Sequence, residues 1–166
     1  MSHPADTDII QLIEEIAPDN LLVMDLKEPG SLENHLRQHP QWKVRRIHDG
    51  DLLERIDSSG QHDVAVLRNT LEYLDKTQAG IVISRLRDLY SRRLLALVPV
   101  NSHPAQGSVQ SEWRDAELIA YGMTRLAAYP DGRHLYEYNI LSYKNVPDWL
   151  NAKNWANPEL WDKYRW

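Results

Sequence analysis

Asp25, Asp49, Asp51, Asn69 and Glu72 each stand at or just beyond the end of a short apolar run that reads as a strand. Open parallel sheets bind their ligands at the carboxyl ends of strands, so these five residues mark a candidate crevice. A plainer alternative gives each a local role, with Asp51 as a helix cap, Asp25 and Asp49 as solvated turn residues and Glu72 as an exposed helix position. The stretch LLVMDLKEPG, over 21–30, ends a strand in Asp25 and runs into a loop whose one glycine is Gly30. Nucleotide-binding proteins commonly cluster glycines there so that backbone N–H groups can approach a cofactor. Lys27 and Glu28 bring bulk and Pro29 removes a donor, so this loop is expected to join strand to helix rather than cradle a ligand.

Other chemistry is thinner. His35 and His39 are spaced to share one helix face, but no third ligand stands at a suitable spacing, and no metal site is expected. His103 lies in a polar loop and reads as a solvated residue. Arg45 and Arg46, like Arg92 and Arg93, are paired cations near strand ends and read as a solvated rim. The absence of cysteine removes disulfides, thiolate ligands and a cysteine nucleophile. No G-x-S-x-G turn is present to expose a serine. A net charge of −5 without a basic block argues against nucleic-acid partners. No run approaches the ~18 apolar residues of a membrane span, and the N-terminus lacks a leader pattern. The expectation is a soluble cytoplasmic protein.

The elements that must position these residues alternate. Ile9, Ile10, Leu12, Ile13 and Ile16 follow helical spacing, with Asp6 or Thr7 as cap and Pro18 as stop. Strands are expected over Leu21 to Leu26, Trp42 to Ile47, Asp63 to Arg68 and from Arg93 to Val100. Helices are expected from Leu32 to His39, after the capping pair Asp51 and Glu54, after Asp75 and Gln78 through Tyr90, and from a Ser111 cap to Tyr121. Two further strand-like segments, Met123 to Tyr129 and His134 to Ile140, are separated by Pro130-Asp131-Gly132-Arg133, a turn that forces antiparallel pairing. The expected fold is therefore α/β and Rossmann-like: a mostly parallel sheet of about six strands, a C-terminal antiparallel hairpin, and helices on both faces.

That order resembles the class I S-adenosylmethionine-dependent methyltransferase superfamily. HDVAVLRNTLEYLDK, over 62–76, is similar to the family's fourth strand and following turn, with Tyr73 where the family pattern has His. RRLLALVPV is similar to its fifth strand. His48-Asp49-Gly50-Asp51-Leu52 resembles the word after its third strand, where an acidic residue lies near the adenine. The resemblance implies S-adenosylmethionine as cofactor, with Asp25, Asp49, Asp51 and Asn69 as its binding residues and Glu72, Tyr73 and His103 facing substrate. The chain departs from the family in its glycine-poor first loop and in having room for one strand where the family has two. Methyl transfer needs little beyond an in-line nucleophile, so no catalytic base is demanded.

From Tyr143 the chain reads YKNVPDWLNAKNWANPELWDKYRW, with Trp149, Trp155, Trp161 and Trp166 in a protein that has no Phe. Each indole can bury about 150–250 Å². Residues 143–166 are thus expected to be a Trp-rich extension packed on domain 1–142, on a second copy of the chain or on another protein. Two functions follow. The first is a reduced methyltransferase-like domain, a pseudoenzyme acting as a protein-interaction or scaffold module; the second is a small active methyltransferase using a variant loop over 25–31.

Overall fold

The computed structural model describes residues 3–27, 31–101 and 109–143. Helix α1 (Pro4–Ile16) leads into strand β1 (Asn20–Asp25), helix α2 (Ser31–Gln38), strand β2 (Lys43–Ile47), helix α3 (Leu52–Asp57) and strand β3 (His62–Arg68). A 3-10 turn (Leu71–Tyr73) precedes helix α4 (Lys76–Arg85), which closes in a π turn (Leu86–Tyr90). Strand β4 (Ser91–Pro99), helix α5 (Asp115–Ala120), strands β5 (Thr124–Ala128) and β6 (Arg133–Asn139) and a short helix α6 (Ile140–Tyr143) follow. The six strands form one sheet in the order β2-β1-β3-β4-β6-β5. β2, β1, β3 and β4 are mutually parallel, and β6 joins β4 antiparallel and pairs with β5 as a hairpin. The expected Rossmann-like sheet and C-terminal hairpin are both present.

Alternation along the strands divides the core in two, because successive side chains point to opposite faces. Leu21, Val23, Val64, Val66, Leu95 and Leu97 pack with Ile9 and Ile13 of α1 and Leu32 and Leu36 of α2. Leu22, Met24, Ala65, Leu67, Leu94 and Ala96 pack with Ile56 of α3, Val82 and Ile83 of α4 and Leu118 of α5. Fully burying one such side chain contributes about 1.5–3 kcal/mol, so α1 is held by Ile9 and Ile13 rather than by helix propensity. β3 lies in the middle of the sheet, covered on both faces, as its unbroken apolar run requires.

Most terminators follow local chemistry. Asp51 caps α3 by accepting from the backbone of Leu53 and Glu54, both at 3.1 Å, and Asp75 caps α4 by accepting from Gln78 N at 2.9 Å. The hairpin turns at Gly132, whose φ of +84° favours glycine, with Tyr129 and Arg133 bonded across it at 2.8 Å. Two caps differ from expectation. α1 starts at Pro4, with His3 Nδ1 accepting from Ala5 N at 3.1 Å, because Asp6 is drawn into a buried ion pair instead. Ser111 does not cap a helix: it is buried in an extended segment, donates to the Leu71 carbonyl at 2.8 Å and accepts from Trp113 Nε1 at 3.0 Å, and α5 begins only at Asp115.

Candidate functional site

The chain leaves β1, steps outward to β2, and returns on the other side of β1 as β3. That reversal places a crevice between the carboxyl ends of β1 and β3, the point where open α/β sheets take ligands. Here side chains from β1, β3 and α1 bond to one another. Asp25 and Arg68 are register partners that project to the same sheet face. Arg68 Nη1 donates to Asp25 Oδ2 at 2.8 Å, while Nε and Nη2 donate to the two Asp6 oxygens at 2.8 and 3.1 Å. Burial alone would lower the Arg68 pKa, but the hydrogen bonds it donates to Asp25 and Asp6 outweigh it and hold the pKa above its ordinary value. The other Asp25 oxygen accepts from Lys27 N at 3.0 Å and from Asn69 Nδ2 at 3.1 Å.

Backbone and hydroxyl groups add further ties. Leu26 N donates to the Asn69 carbonyl at 3.2 Å. The Thr70 hydroxyl lies 2.9 Å from the Met24 carbonyl and 2.8 Å from that of Arg68. His48 Nδ1 lies 3.0 Å from the Asp25 carbonyl and donates to it in the Nδ1–H tautomer. Asn69 takes a left-handed φ of 46°, a conformation that Asn tolerates better than most side chains and one that turns its amide back to Asp25.

The remaining candidates do not gather around this point. Asp49 is a rim residue, its side chain 81% exposed and paired with Arg55 at 3.1 Å. Asp51 serves α3 as its cap. Tyr73 is half-buried beneath Lys27, whose Nζ stands 4.8 Å from the ring centroid. Glu72 is not the exposed helix residue of the plainer alternative: it is 5% exposed, and its Oε2 has no hydrogen-bond partner among the described residues. Burial pushes the Glu72 carboxyl up, against weaker downward pulls from nearby backbone N–H groups and from Lys27 and Arg133. His103, Trp149, Trp155, Trp161 and Trp166 lie outside the described residues.

Two cavities flank α4. One, of about 380 Å³, is lined by Gly50, Asp51, Leu53, Leu74 and Gln78. The other, of about 420 Å³, is lined by Lys76, Trp113, Glu117, Ala120 and Tyr121, with Lys76 Nζ 3.8 Å from the Trp113 ring centroid and 2.8 Å from both Glu117 oxygens. The paired arginines divide. Arg46 Nε lies 2.8 Å from both oxygens of Glu33, and Arg93 pairs with Glu137, whereas Arg45 and Arg92 are exposed. Burial raises the Glu33 pKa, but its bonds to Arg46 and Arg37 outweigh that and hold the carboxyl below its usual range.

A second polar cluster lies on the α1/α2 face. His35 and His39 approach each other with ring centroids 4.4 Å apart, and Glu14 of α1 brings a carboxylate oxygen 3.1 Å from His35 Nε2 and 3.9 Å from His39 Nε2. The sequence offered no third ligand by spacing; Glu14 arrives from another helix through tertiary packing. Arg68 and Asp6 were missed for the same reason, since their partnership spans 62 residues of chain. One signal pointed to it: an arginine closing an otherwise apolar central strand needs an acidic partner.

The chain has the fold of class I S-adenosylmethionine-dependent methyltransferases. Structures similar to it include the methyltransferase domain of bacterial CtHen1 (TM-score 0.57, 12% identity, covering 81% of this chain and 97% of that one). The N-terminal domain of EvdMO1 with S-adenosylhomocysteine bound is similar at TM-score 0.59 and 10% identity, over 82% of each chain. The Burkholderia thailandensis 1,6-didemethyltoxoflavin-N1-methyltransferase is similar at TM-score 0.53 and 17% identity, over 82% of this chain and 77% of that one. Across residues 3–166 the sequence matches a family of unknown function, DUF6231, and the chain belongs to that family. No curated protein matches it. Among the described residues no helix is long and apolar enough to cross a membrane.

At the β1/β3 edge the polar groups of Asp25, Asn69 and Asp51 already have partners within the chain. Both Asp25 oxygens are committed to protein donors, the Asn69 amide is committed to Asp25, and Asp51 is committed to α3.

Proposed function

We propose that this protein is a methyltransferase-like module whose cofactor crevice is closed by its own side chains, and that it acts by binding another protein chain. The observation that supports this reading is the lacing of Asp25, Arg68, Asn69 and Asp6 across the β1/β3 switch point. A ligand seated there would have to displace charge-assisted hydrogen bonds, each contributing about 1.5–3 kcal/mol, and leave Arg68 buried without its acids. Two such losses move a micromolar affinity to the millimolar range. The Trp-rich segment 143–166 is the docking element in this reading, since Trp, Tyr and Arg concentrate binding energy at interfaces.

A second reading, a small working methyltransferase, is favoured by one observation. A cavity of about 380 Å³ is lined by Gly50, Asp51, Leu53 and Leu74, residues that follow β2 and β3 in the chain. Calorimetric titration of the full chain with S-adenosylmethionine and S-adenosylhomocysteine separates the two. The first reading predicts no saturable heat at micromolar ligand. Stoichiometric micromolar binding would overturn it in favour of the second.

A further inference from the structure

We propose that Glu14, His35 and His39 form a binding site for a divalent transition-metal ion of the zinc type, held by one carboxylate oxygen and two imidazole Nε2 atoms with a fourth position left to water. The three ligand atoms already lie within 4.8 Å of one another. Zinc bonds of about 2.0–2.2 Å to nitrogen and oxygen in a tetrahedron set neighbouring ligand atoms roughly 3.3–3.5 Å apart. The observed separations from Glu14 Oε1, 3.1 Å to His35 Nε2 and 3.9 Å to His39 Nε2, bracket that range, and the two imidazole ligand atoms lie within 4.8 Å of each other.

The arrangement is poorly explained as an ordinary ion pair. His35 Nε2 is shielded from solvent, and although Glu14 Oε1 lies at ion-pair distance, the two are not aligned as a hydrogen bond. A buried ring nitrogen 3.1 Å from a carboxylate oxygen yet not hydrogen-bonded to it, on a ring 4.4 Å from a second imidazole, is placed as a metal ligand is placed. The helix contributes the spacing: residues four apart share a face, and His39 directly follows the last turn of α2. The His39 ring is fixed from behind, stacked on Trp42 with centroids 4.6 Å apart and planes 15° apart. Its Nδ1 lies 3.0 Å from the side-chain amide of Gln41. Turning that amide over presents its oxygen to Nδ1–H, the outer contact that leaves Nε2 free to coordinate. Two imidazoles select a borderline ion over magnesium or calcium, which take oxygen ligands. The bound ion would staple α1 to α2.

Metal-stripped full-length protein titrated with zinc should bind one ion per chain at micromolar affinity. Glu14→Gln, His35→Ala and His39→Ala should each weaken binding about tenfold or more. Glu14 is solvent-exposed, so Glu14→Gln tests the site even if His35→Ala misfolds. X-ray absorption on the zinc-loaded protein should show two imidazoles with oxygen completing the shell. Zinc should also raise the melting temperature of the wild type and not that of Glu14→Gln. Absence of saturable binding, or binding equal in wild type and all three variants, would overturn the proposal. These readouts are independent of S-adenosylmethionine binding.

Discussion

Asp25 and Glu72 are two acids at the same edge of one sheet, buried to nearly the same depth at 6% and 5% exposure, and the protein treats them in opposite ways. Asp25 ends β1 opposite Arg68, and every acceptor position that matters is filled by a guanidinium, an amide or a backbone N–H. Glu72 sits in the turn after β3 without a guanidinium bonded to it: Lys27 and Arg133 act on it only at a distance, and its carboxyl is pushed up by burial. The difference shows that depth does not decide the fate of a buried acid; the register partner does. The paired acid has both oxygens bonded to protein donors, and the other leaves one oxygen, Oε2, without a hydrogen-bond partner among the described residues.

The strongest way to break the comparison is to take the partner from Asp25. Arg68→Met should destabilise the protein by about 3–5 kcal/mol, because the buried guanidinium that bonds both Asp6 and Asp25 is lost. In a chain of this size that corresponds to roughly 6–20 °C in melting temperature, measured by thermal denaturation at pH 7. Replacing all three members together, with Asp6→Asn, Asp25→Asn and Arg68→Met, should recover much of the loss, since removing a whole buried ionic group is often near neutral. A triple variant no more stable than Arg68→Met would show that the cluster holds the fold by shape rather than by charge pairing.

A smaller effect is expected at Asn69. Asn69→Ala removes one hydrogen bond to the Asp25 carboxylate and leaves alanine with a left-handed φ, a combined cost of about 2–3 kcal/mol by chemical denaturation. Asn69→Gly keeps the backbone conformation, so the difference between the two variants isolates the backbone part.

The smallest change sharpens the other side. With its folded pKa raised, Glu72 binds its proton more tightly in the folded state than in the unfolded chain. Its effect is therefore absent below the ordinary carboxyl value of 4.5 and becomes a loss of stability as pH rises through the folded value. Glu72→Gln cannot ionise. It should match the wild type near pH 4 and melt a few degrees higher at pH 7; a variant less stable than wild type at pH 7 would mean that an ionised Glu72 is well satisfied.

Much of this was legible in the sequence, and the boundary of legibility is physical. The strands at 20–25 and 62–68, the caps at Asp51 and Asp75 and the hairpin at Gly132 rest on interactions within a few residues, and the chain announces them. What failed depended on distant partners. Asp6 carries cap chemistry, yet it serves an arginine 62 residues away, and His3 caps α1 instead. Ser111 likewise looks like a cap until the Leu71 carbonyl and Trp113 claim it. The strand ends pointed to the crevice, but the register that sets Asp25 against Arg68 spans 43 residues, and no local pattern encodes it. Glu14 joins the two histidines only once α1 packs on α2.

The central claim is that the β1/β3 crevice is occupied by the protein itself, and nuclear magnetic resonance on the labelled full chain tests it most directly. The backbone amides of Lys27 and Leu26 and the side-chain amide of Asn69 report on the laced residues one by one. With S-adenosylhomocysteine added at micromolar concentration, the account predicts that these three resonances stay where they are. Saturable movement of all three at micromolar ligand would contradict it and would mean that the cofactor displaces the side chains that close the crevice.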